Sequence, residues 1–307
     1  MVNEALVRLL TELDDGGYDF ITVTPETHRR VLERRQGESA QTVRDVFGWS
    51  MPFQRELLAG PLMDALEEAD AVQPAGQLLK SRLRVSSLGG RLFLHSAYPT
   101  TDENAVFFGP DTYRFARFLE AELREVESCR HLVDLGAGSG PGGITAAGLI
   151  EPERLTLGDV NSQALALAEA NAAAAGIDAH CVEGDLDRVE GPIDLIIANP
   201  PFIADPLGRS YRDGGDMLGA GLSYTWAIDG AQRLRDGGTM LLYTGSPIVS
   251  GEDRLLSALA EELDELGCTL RYEELDPDIF GEELEQPPYR DAGVERIAAV
   301  AAVIRKF

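Results

Sequence analysis

The sequence predicts an α/β protein built on a doubly wound, mostly parallel sheet, with a smaller helical N-terminal domain and a connecting β-hairpin. Two observations predict this fold class. From residue 106 onward, short aliphatic runs alternate with longer segments of helical periodicity, which is the order of βαβ units. Before residue 79, apolar residues instead recur three and four positions apart, which is typical of small packed helices.

The chain divides into three predicted parts. Residues 1–78 form a helical N-terminal domain that is a candidate for substrate recognition. Residues 79–105 form the hairpin connector, because strand-like stretches flank the turn sequence from Ser87 to Gly90. Residues 106–307 form the main α/β domain, in which the run from Ile297 to Ile304 fits a strand or a helix equally well.

Length and composition indicate a globular protein. Its 307 residues, 44% of them hydrophobic, suffice for one large domain and a smaller one. The first residues mix charge with leucine, and no apolar run is long enough to cross a bilayer, so we expect a soluble, cytoplasmic protein without membrane contact. Cys129, Cys181 and Cys268 are widely separated and lack nearby histidines at ligand spacing, so we expect neither a disulfide framework nor a metal site.

The formal net charge of −25 is unevenly distributed. The first 100 residues hold 11 basic and 14 acidic side chains, whereas the remainder holds 16 and 38. An acidic body repels phosphate backbones, which counts against a nucleic-acid partner without excluding one. Adaptation to high salt explains the charge equally well, particularly as Lys80 and Lys306 are the only lysines.

Basic residues gather in the N-terminal third. They form either a solvated helix face or one recognition surface on an acidic protein. The residues are Arg29, Arg30, Arg34, Arg35, Lys80, Arg82, Arg84 and Arg91.

A glycine-rich loop follows the first strand of the main domain. The stretch "VDLGAGSGPGG" places Gly136, Gly138 and Gly140 before a helix that begins near Pro141, with Asp134 two residues ahead. Alternating glycines let the backbone approach a ligand closely, and a helix N-terminus adds outward N–H groups. A purely structural glycine turn is the alternative.

Polar residues end the next three strands. Asp159 can accept the hydroxyls of a ribose, or act as a helix N-terminal acid, and Asp185 can accept an adenine amine, or be an exposed loop residue. The fourth strand ends in Asn199-Pro200-Pro201-Phe202, where the alternative is a proline loop that caps the strand. Since the carboxyl ends of parallel strands meet over one crevice, all these features converge on one predicted site.

With these motifs the chain resembles the class I S-adenosylmethionine-dependent methyltransferases, in the branch whose Asn-Pro-Pro-aromatic motif methylates amide or exocyclic amine nitrogen. The resemblance spans residues 107–307 and implies a Rossmann-like sheet of seven strands. It implies that Gly136, Gly138 and Gly140 pack against the methionine part of S-adenosyl-L-methionine, that Asp159 binds the ribose, and that Asp185 meets the adenine. It also places Asp134 and Asn199 in the cofactor site.

The segment "VFFGPDTY" resembles the element before the first helix in the release-factor glutamine methyltransferases. The resemblance implies that Asp111 and Thr112 close over the cofactor, whereas a plain helix cap is the alternative for Asp111.

The corner after the fourth strand has a predicted catalytic role. An amide nitrogen is a poor nucleophile, so acceptors for its two N–H bonds must orient it and stabilise its growing positive charge. The Asn199 side-chain oxygen and the Pro200 carbonyl supply them, Pro201 fixes the backbone, and Phe202 can stack on a flat acceptor. No strong general base is required.

The acceptor itself stays open. The resemblance favours a glutamine side chain of a translation factor, a protein substrate. The alternatives are an rRNA guanine N2 or adenine N6, a DNA amine, a small molecule, or a non-catalytic module. Phe202 replaces the tyrosine common in the release-factor enzymes, and phenylalanine also occurs in rRNA guanine methyltransferases. Tyr211, Arg212 and Asp213 are expected near the acceptor entrance, or else in a flexible polar loop. The sequence does not determine the oligomeric state.

Overall fold

The N-terminal part is mainly helical in the computed structural model, which describes residues 2–100, 102, 104–205, 209 and 211–307. Thr101 and Glu103, in the predicted connector, lie outside the described residues. The N-terminal helices are α1 (Glu4–Asp15), α2 (Pro25–Arg34), α3 (Val43–Phe47) and α4 (Gly60–Glu68). In α1 the Asn3 side chain caps the first turn, and leucines three and four apart are buried against α4 and against a helix of the main domain.

Two hairpins follow these helices. The first joins β1 (Val72–Ala75) to β2 (Leu78–Ser81), and the second joins β3 (Leu83–Leu88) to β4 (Arg91–Ser96). The second hairpin confirms the prediction, because Gly89 and Gly90 both adopt positive φ, as a two-residue type I′ turn requires. The first was not predicted, since Pro74 and a short apolar run hide a strand of four residues.

The main domain confirms the predicted α/β fold. Its central sheet has the strand order β11-β12-β9-β8-β5-β6-β7, in which only β12 runs antiparallel to its neighbours. The strands are β5 (His131–Leu135), β6 (Arg154–Asp159), β7 (His180–Glu183), β8 (Ile193–Ala198), β9 (Leu234–Val249), β10 (Glu252–Asp253), β11 (Cys268–Asp276) and β12 (Val294–Lys306), with β10 pairing only with β9. The run from Ile297 to Ile304 is therefore a strand, buried throughout.

Helices cover both faces of this sheet. They are α5 (Pro110–Glu122), α6 (Pro141–Ile150), α7 (Ser162–Ala174), α8 (Gly221–Arg233), α9 (Arg254–Glu265) and α10 (Pro287–Ala292). Alternate residues of β5 point to opposite faces, so Leu132 packs with the apolar residues of α5 and α6, and Val133 packs with those of α8 and α9. Burial on both faces explains why the parallel strands are continuous aliphatic runs.

The chain order of the strands positions the site. From β5 the chain passes to β6 and β7 on one side, and then returns to β8 on the other side. This reversal opens a crevice at the carboxyl ends of β5, β6 and β8, where ligands of doubly wound sheets bind. Among the described residues, no helix is both long enough and apolar enough to cross a membrane.

Candidate functional site

A cleft of about 490 Å³ opens at the carboxyl ends of the parallel strands. Every residue predicted to be catalytic or to bind the cofactor lines it except Gly140. The lining residues are Asp111, Thr112, Asp134, Gly136, Gly138, Asp159, Asp185, Asn199, Pro200, Pro201 and Phe202. Residues as far apart in the sequence as Asp111 and Phe202 therefore meet at one site, as the strand order requires.

The three glycines of the loop differ in the neighbours that a side chain at each position would meet. All three adopt positive φ, which strains any other residue. A Cβ at Gly136 would lie 2.4 Å from the ring of Trp226, whereas a Cβ at Gly138 would meet nothing within 4 Å. Gly140 begins α6 instead, where a Cβ would lie 3.0 Å from Ile144 in the core. Gly136 and Gly138 thus border the cleft, and Gly140 supports the turn behind it.

Asp159 joins two segments at the end of β6. Its Oδ2 accepts a hydrogen bond from the Gly138 amide at 2.8 Å, and its Oδ1 accepts one from the Asn161 amide at 2.8 Å. The cap of α7 is the Asn161 side chain, so Asp159 does not serve as that helix cap. Each carboxylate oxygen can accept a further hydrogen bond, and Asp159 lines the cleft. Burial raises the pKa of Asp159 above its ordinary value.

Asp134 is fully buried beneath the glycine loop. Its Oδ2 accepts a hydrogen bond of 2.6 Å from the amide of Gly143 in the first turn of α6. Burial raises the pKa of Asp134 to about 7, with a smaller contribution in the same direction from Asp159. Asp134 therefore fixes the loop against the helix, and it adds negative charge to the cleft only when it is ionised.

Asp111 lies in the first turn of α5, whose cap position is Gly109. Its Oδ1 accepts a hydrogen bond of 2.6 Å from the Tyr243 hydroxyl, whereas its buried Oδ2 has no partner among the described residues. The neighbouring Thr112 accepts a hydrogen bond from the Gly109 amide. A buried carboxylate oxygen without a partner is costly unless a ligand satisfies it, so the cleft fits a hydrogen-bond donor of a ligand at this point.

Asp185 follows β7 and is exposed at the edge of the cleft. Its side chain does not cap the short helical turn that follows it. It can therefore accept a hydrogen bond from a ligand that extends along the edge of the sheet.

The Asn199-Pro200-Pro201-Phe202 corner follows β8. Asn199 is half-buried, and within the described part of the chain no hydrogen bond holds its side-chain amide. Phe202 is more deeply packed than we expected: it is 7% exposed, and a Cβ at Gly245 would lie 2.3 Å from its ring. Its ring centroid lies 5.8 Å from that of Phe280, with the two planes at 61°. Asn199 is thus open to a ligand, whereas Phe202 presents little surface to the cleft.

Several lining residues were not predicted from the sequence. Val160, which is 61% exposed, follows Asp159 directly and offers an apolar surface that the strand-end motif could have indicated. Trp226 on α8 and Phe280 between β11 and β12 reach the cleft only through tertiary packing, so no local motif signals them.

The segment after the corner brings charge to the cleft. Arg209 forms a bidentate pair with Asp205 at 2.7 and 2.8 Å, and this pair lowers the pKa of Asp205 to about 2. Arg212 pairs with Glu283 at 2.7 Å. Tyr211 and Arg212 line the cleft as expected for its entrance, and Arg209 lines it without having been predicted, whereas Asp213 is not among the lining residues.

Comparison with known proteins identifies the family. The Methyltransferase small domain family matches residues 101–214. A release factor glutamine methyltransferase of Deinococcus radiodurans is 31% identical over 216 residues, which cover 66% of this chain and 73% of that protein. The chain belongs to the S-adenosylmethionine-dependent methyltransferases. Within them it falls in the Asn-Pro-Pro-aromatic branch and resembles the release factor glutamine methyltransferases.

This methyltransferase is also similar to a further relative and to a solved structure. Ribosomal RNA small subunit methyltransferase C of Pseudomonas entomophila is 37% identical over 118 residues, which cover 33% of this chain and 36% of that protein. The crystal structure of Trm5b from Pyrococcus abyssi superposes with a TM-score of 0.51 at 16% identity, covering 77% of this chain and 62% of that one. This likeness shows the fold alone. The methyltransferase is an enzyme that uses S-adenosylmethionine as its cofactor.

Proposed function

We propose that this methyltransferase transfers the methyl group to a planar amide nitrogen, the glutamine side chain of a translation factor. The observation that carries the proposal is the position of Asn199 and Pro200. They end β8 and line the same cleft as Asp111, Asp159 and Asp185, so one ligand site and one acceptor site adjoin. The similarity to release factor glutamine methyltransferases over 73% of one such protein supports the choice of acceptor.

The acidic half of the cleft, formed by Asp111, Asp159 and Asp185, suits the cofactor. S-adenosylmethionine supplies an activated methyl group on a sulfonium centre. In the proposal Asp159 accepts the ribose hydroxyls, Asp185 meets the adenine amine, and the backbone at Gly136 and Gly138 lies along the methionine part. The unpartnered Oδ2 of Asp111 fits the cationic ammonium group.

The corner after β8 acts on the acceptor. The side-chain oxygen of Asn199 and the carbonyl of Pro200 each accept one N–H of the amide, which aims the nitrogen lone pair at the methyl group. Both oxygens stabilise the positive charge that grows on the nitrogen. The nitrogen loses its proton to solvent as the new bond forms, because the charged amide is strongly acidic.

Charge favours a protein acceptor over RNA. After residue 100 the net charge is −22. The basic surface that the sequence suggested is largely neutralised, because Arg29 pairs with Glu26 and Glu33, and Arg35 pairs with Glu38 and Asp45. Arg84 is buried and donates to the Gly48 carbonyl instead of facing solvent. Of that surface, the contacts of the described residues leave Arg34, Arg82 and Arg91 without an acidic partner, so only part of it is available to bind phosphates.

An RNA amine is the second candidate. The observation in its favour is the 37% identity with ribosomal RNA small subunit methyltransferase C, which spans only a third of this chain. That stretch covers too little of the chain to extend the likeness to substrate recognition.

Transfer of labelled methyl groups decides between the two acceptors. A lysate of cells that lack the gene is incubated with the enzyme and methyl-labelled S-adenosylmethionine, and then treated with RNase or protease. We expect label that survives RNase and is lost with protease, in a protein band that yields N5-methylglutamine after complete enzymatic digestion. Label lost with RNase would establish the RNA acceptor instead, and an Asn199→Ala enzyme controls for background transfer.

A further inference from the structure

We propose that Phe280 is a specificity-determining residue of this enzyme, whose ring forms the aromatic wall against which a flat acceptor group packs beside Asn199. The inference rests on the proposed function, because it concerns the acceptor end of the same cleft. Phe280 belongs to the segment between β11 and β12, far in sequence from the glycine loop and the Asn-Pro-Pro-Phe corner.

Phe202 alone cannot provide that wall. Its ring lies directly on the backbone of Gly245, and only 7% of the residue is exposed. Phe280 is half-buried, lines the cleft, and meets the Phe202 ring edge to face at 5.8 Å. Of these two rings, Phe280 is therefore the one with surface to offer an acceptor.

The backbone of Phe280 is held in a costly conformation. Its φ of 55° and ψ of 40° place a bulky side chain in the left-handed region, where non-glycine residues are uncommon. Such outliers persist only where the surrounding structure imposes them, and they concentrate at ligand sites. Here the conformation turns the ring toward the corner after β8 instead of toward solvent.

Contacts on both sides of Phe280 impose this conformation. The Ile279 amide donates to the Ile297 carbonyl at 2.8 Å, and the Glu283 amide donates to the Phe280 carbonyl at 2.8 Å. Glu283 in turn pairs with Arg212, and the Tyr289 hydroxyl accepts the Ala204 amide at 2.8 Å. The segment that carries Phe280 is thus braced against the segment that follows Asn199, which fixes the ring relative to the acceptor oxygens.

The ion pair of Arg212 with Glu283 also bears on which acceptors fit. Arg212 lines the same cleft as Phe280, but Glu283 neutralises it, so this pair adds no free charge to the wall. An uncharged, flat amide suits such a wall, because it gains stacking contact there while the Asn199 and Pro200 oxygens accept its N–H bonds in place of water.

Substitutions at Phe280 test the inference through acceptor kinetics. The acceptor is the lysate fraction, protein or RNA, that takes label from the wild-type enzyme. Phe280→Leu keeps the apolar bulk without a flat face, and Phe280→Gly removes the ring while suiting the positive φ. We expect both to raise the KM for the acceptor about 3- to 10-fold, whereas Phe280→Tyr stays near wild type. The Kd for S-adenosylmethionine, measured by calorimetry, should stay unchanged in all three.

Phe307→Gly is the matched control, since the same side chain is lost from a residue that is 79% exposed at the end of β12. A purely structural role would lower thermal stability and kcat in Phe280→Gly, and Phe280→Leu would restore both. An unchanged acceptor KM in Phe280→Leu and Phe280→Gly would overturn the inference.

The test of Phe280 works whether the acceptor is a protein or an RNA. Label in RNA would refute the proposed function. The KM of the Phe280 variants for that RNA, compared with the wild-type KM, would still decide the role of Phe280. Should neither fraction take label, saturation-transfer NMR of benzamide, a flat primary amide, replaces the kinetics, with S-adenosylhomocysteine present. We expect transfer from wild type and Phe280→Tyr and its loss in Phe280→Gly; no transfer from wild type would refute the inference.

Discussion

The carboxylate of Asp159 accepts a hydrogen bond of 2.8 Å from the backbone amide of Gly138. This contact ties the end of β6 to the loop that follows β5, so the residue proposed to bind ribose also fixes the loop proposed to border the methionine part. Ligand binding and loop geometry are therefore coupled through one side chain.

Removal of the Asp159 carboxylate should weaken cofactor binding. We expect Asp159→Ala to raise the Kd for S-adenosylmethionine about 10- to 100-fold, because charge-assisted hydrogen bonds to the ribose are lost and the Gly138 amide is released. Calorimetric titration measures the affinity. Asp178→Ala, at an exposed acid outside the cleft lining, is the control, and an unchanged Kd in Asp159→Ala would remove Asp159 from the site.

The two cleft glycines should respond differently to an added methyl group. Both have positive φ, so alanine costs about 1 kcal/mol of strain at either position. Gly136→Ala must also displace the Trp226 ring, and we expect a further loss of about 1–3 kcal/mol in the free energy of unfolding. Gly138→Ala meets no neighbour, so its main effect should be on cofactor affinity. Urea denaturation measures the free energy of unfolding of each variant, and calorimetry measures its affinity for the cofactor. Equal free energies of unfolding in the two variants would contradict these different roles of Gly136 and Gly138.

Much of this site could be predicted from the sequence, because the strand-end residues are local signals. A buried parallel strand is a continuous aliphatic run, and the residue that ends it faces the crevice. Asp159, Asp185 and Asn199 were therefore located from their positions at the strand ends, whereas the family resemblance placed Asp134, which lies inside β5, in the site.

The unpredicted residues reach the cleft from distant elements. Phe280 depends on the pairing of β11 with β12, and the burial of Phe202 depends on a glycine in β9. No periodicity encodes such contacts. The β1–β2 hairpin was missed because a strand of four residues gives too short a pattern.

Asp134 should give the free energy of unfolding a distinct pH dependence. Its folded-state pKa of about 7 lies above the ordinary aspartate value of 3.8, so the folded state binds the proton more tightly than the unfolded chain. Its stabilising effect is therefore complete below about pH 4 and declines as the pH rises through 7, by up to about 4 kcal/mol. Urea denaturation at pH 5 and pH 8 measures how much stability is lost between the two pH values. We expect a smaller loss in Asp134→Asn than in wild type, and equal losses would contradict the raised pKa of Asp134.

Asn199 should separate binding from transfer. Its side-chain oxygen is proposed to contact the acceptor nitrogen, whereas Asp111 and Asp159, which line the same cleft, are proposed to bind the cofactor. We expect Asn199→Ala to lower kcat about 100-fold or more, since a preorganised acceptor for the developing charge is lost.

The control lies in the same variant. Its Kd for S-adenosylmethionine should stay close to that of wild type, because Asn199→Ala leaves the acidic half of the cleft intact. Since the Asn199 side chain has no hydrogen bond within the described part of the chain, its removal should also leave the melting temperature unchanged. Turnover at the wild-type rate would refute the proposed role of the corner, and a lost affinity for the cofactor would reassign Asn199 from the acceptor to the cofactor.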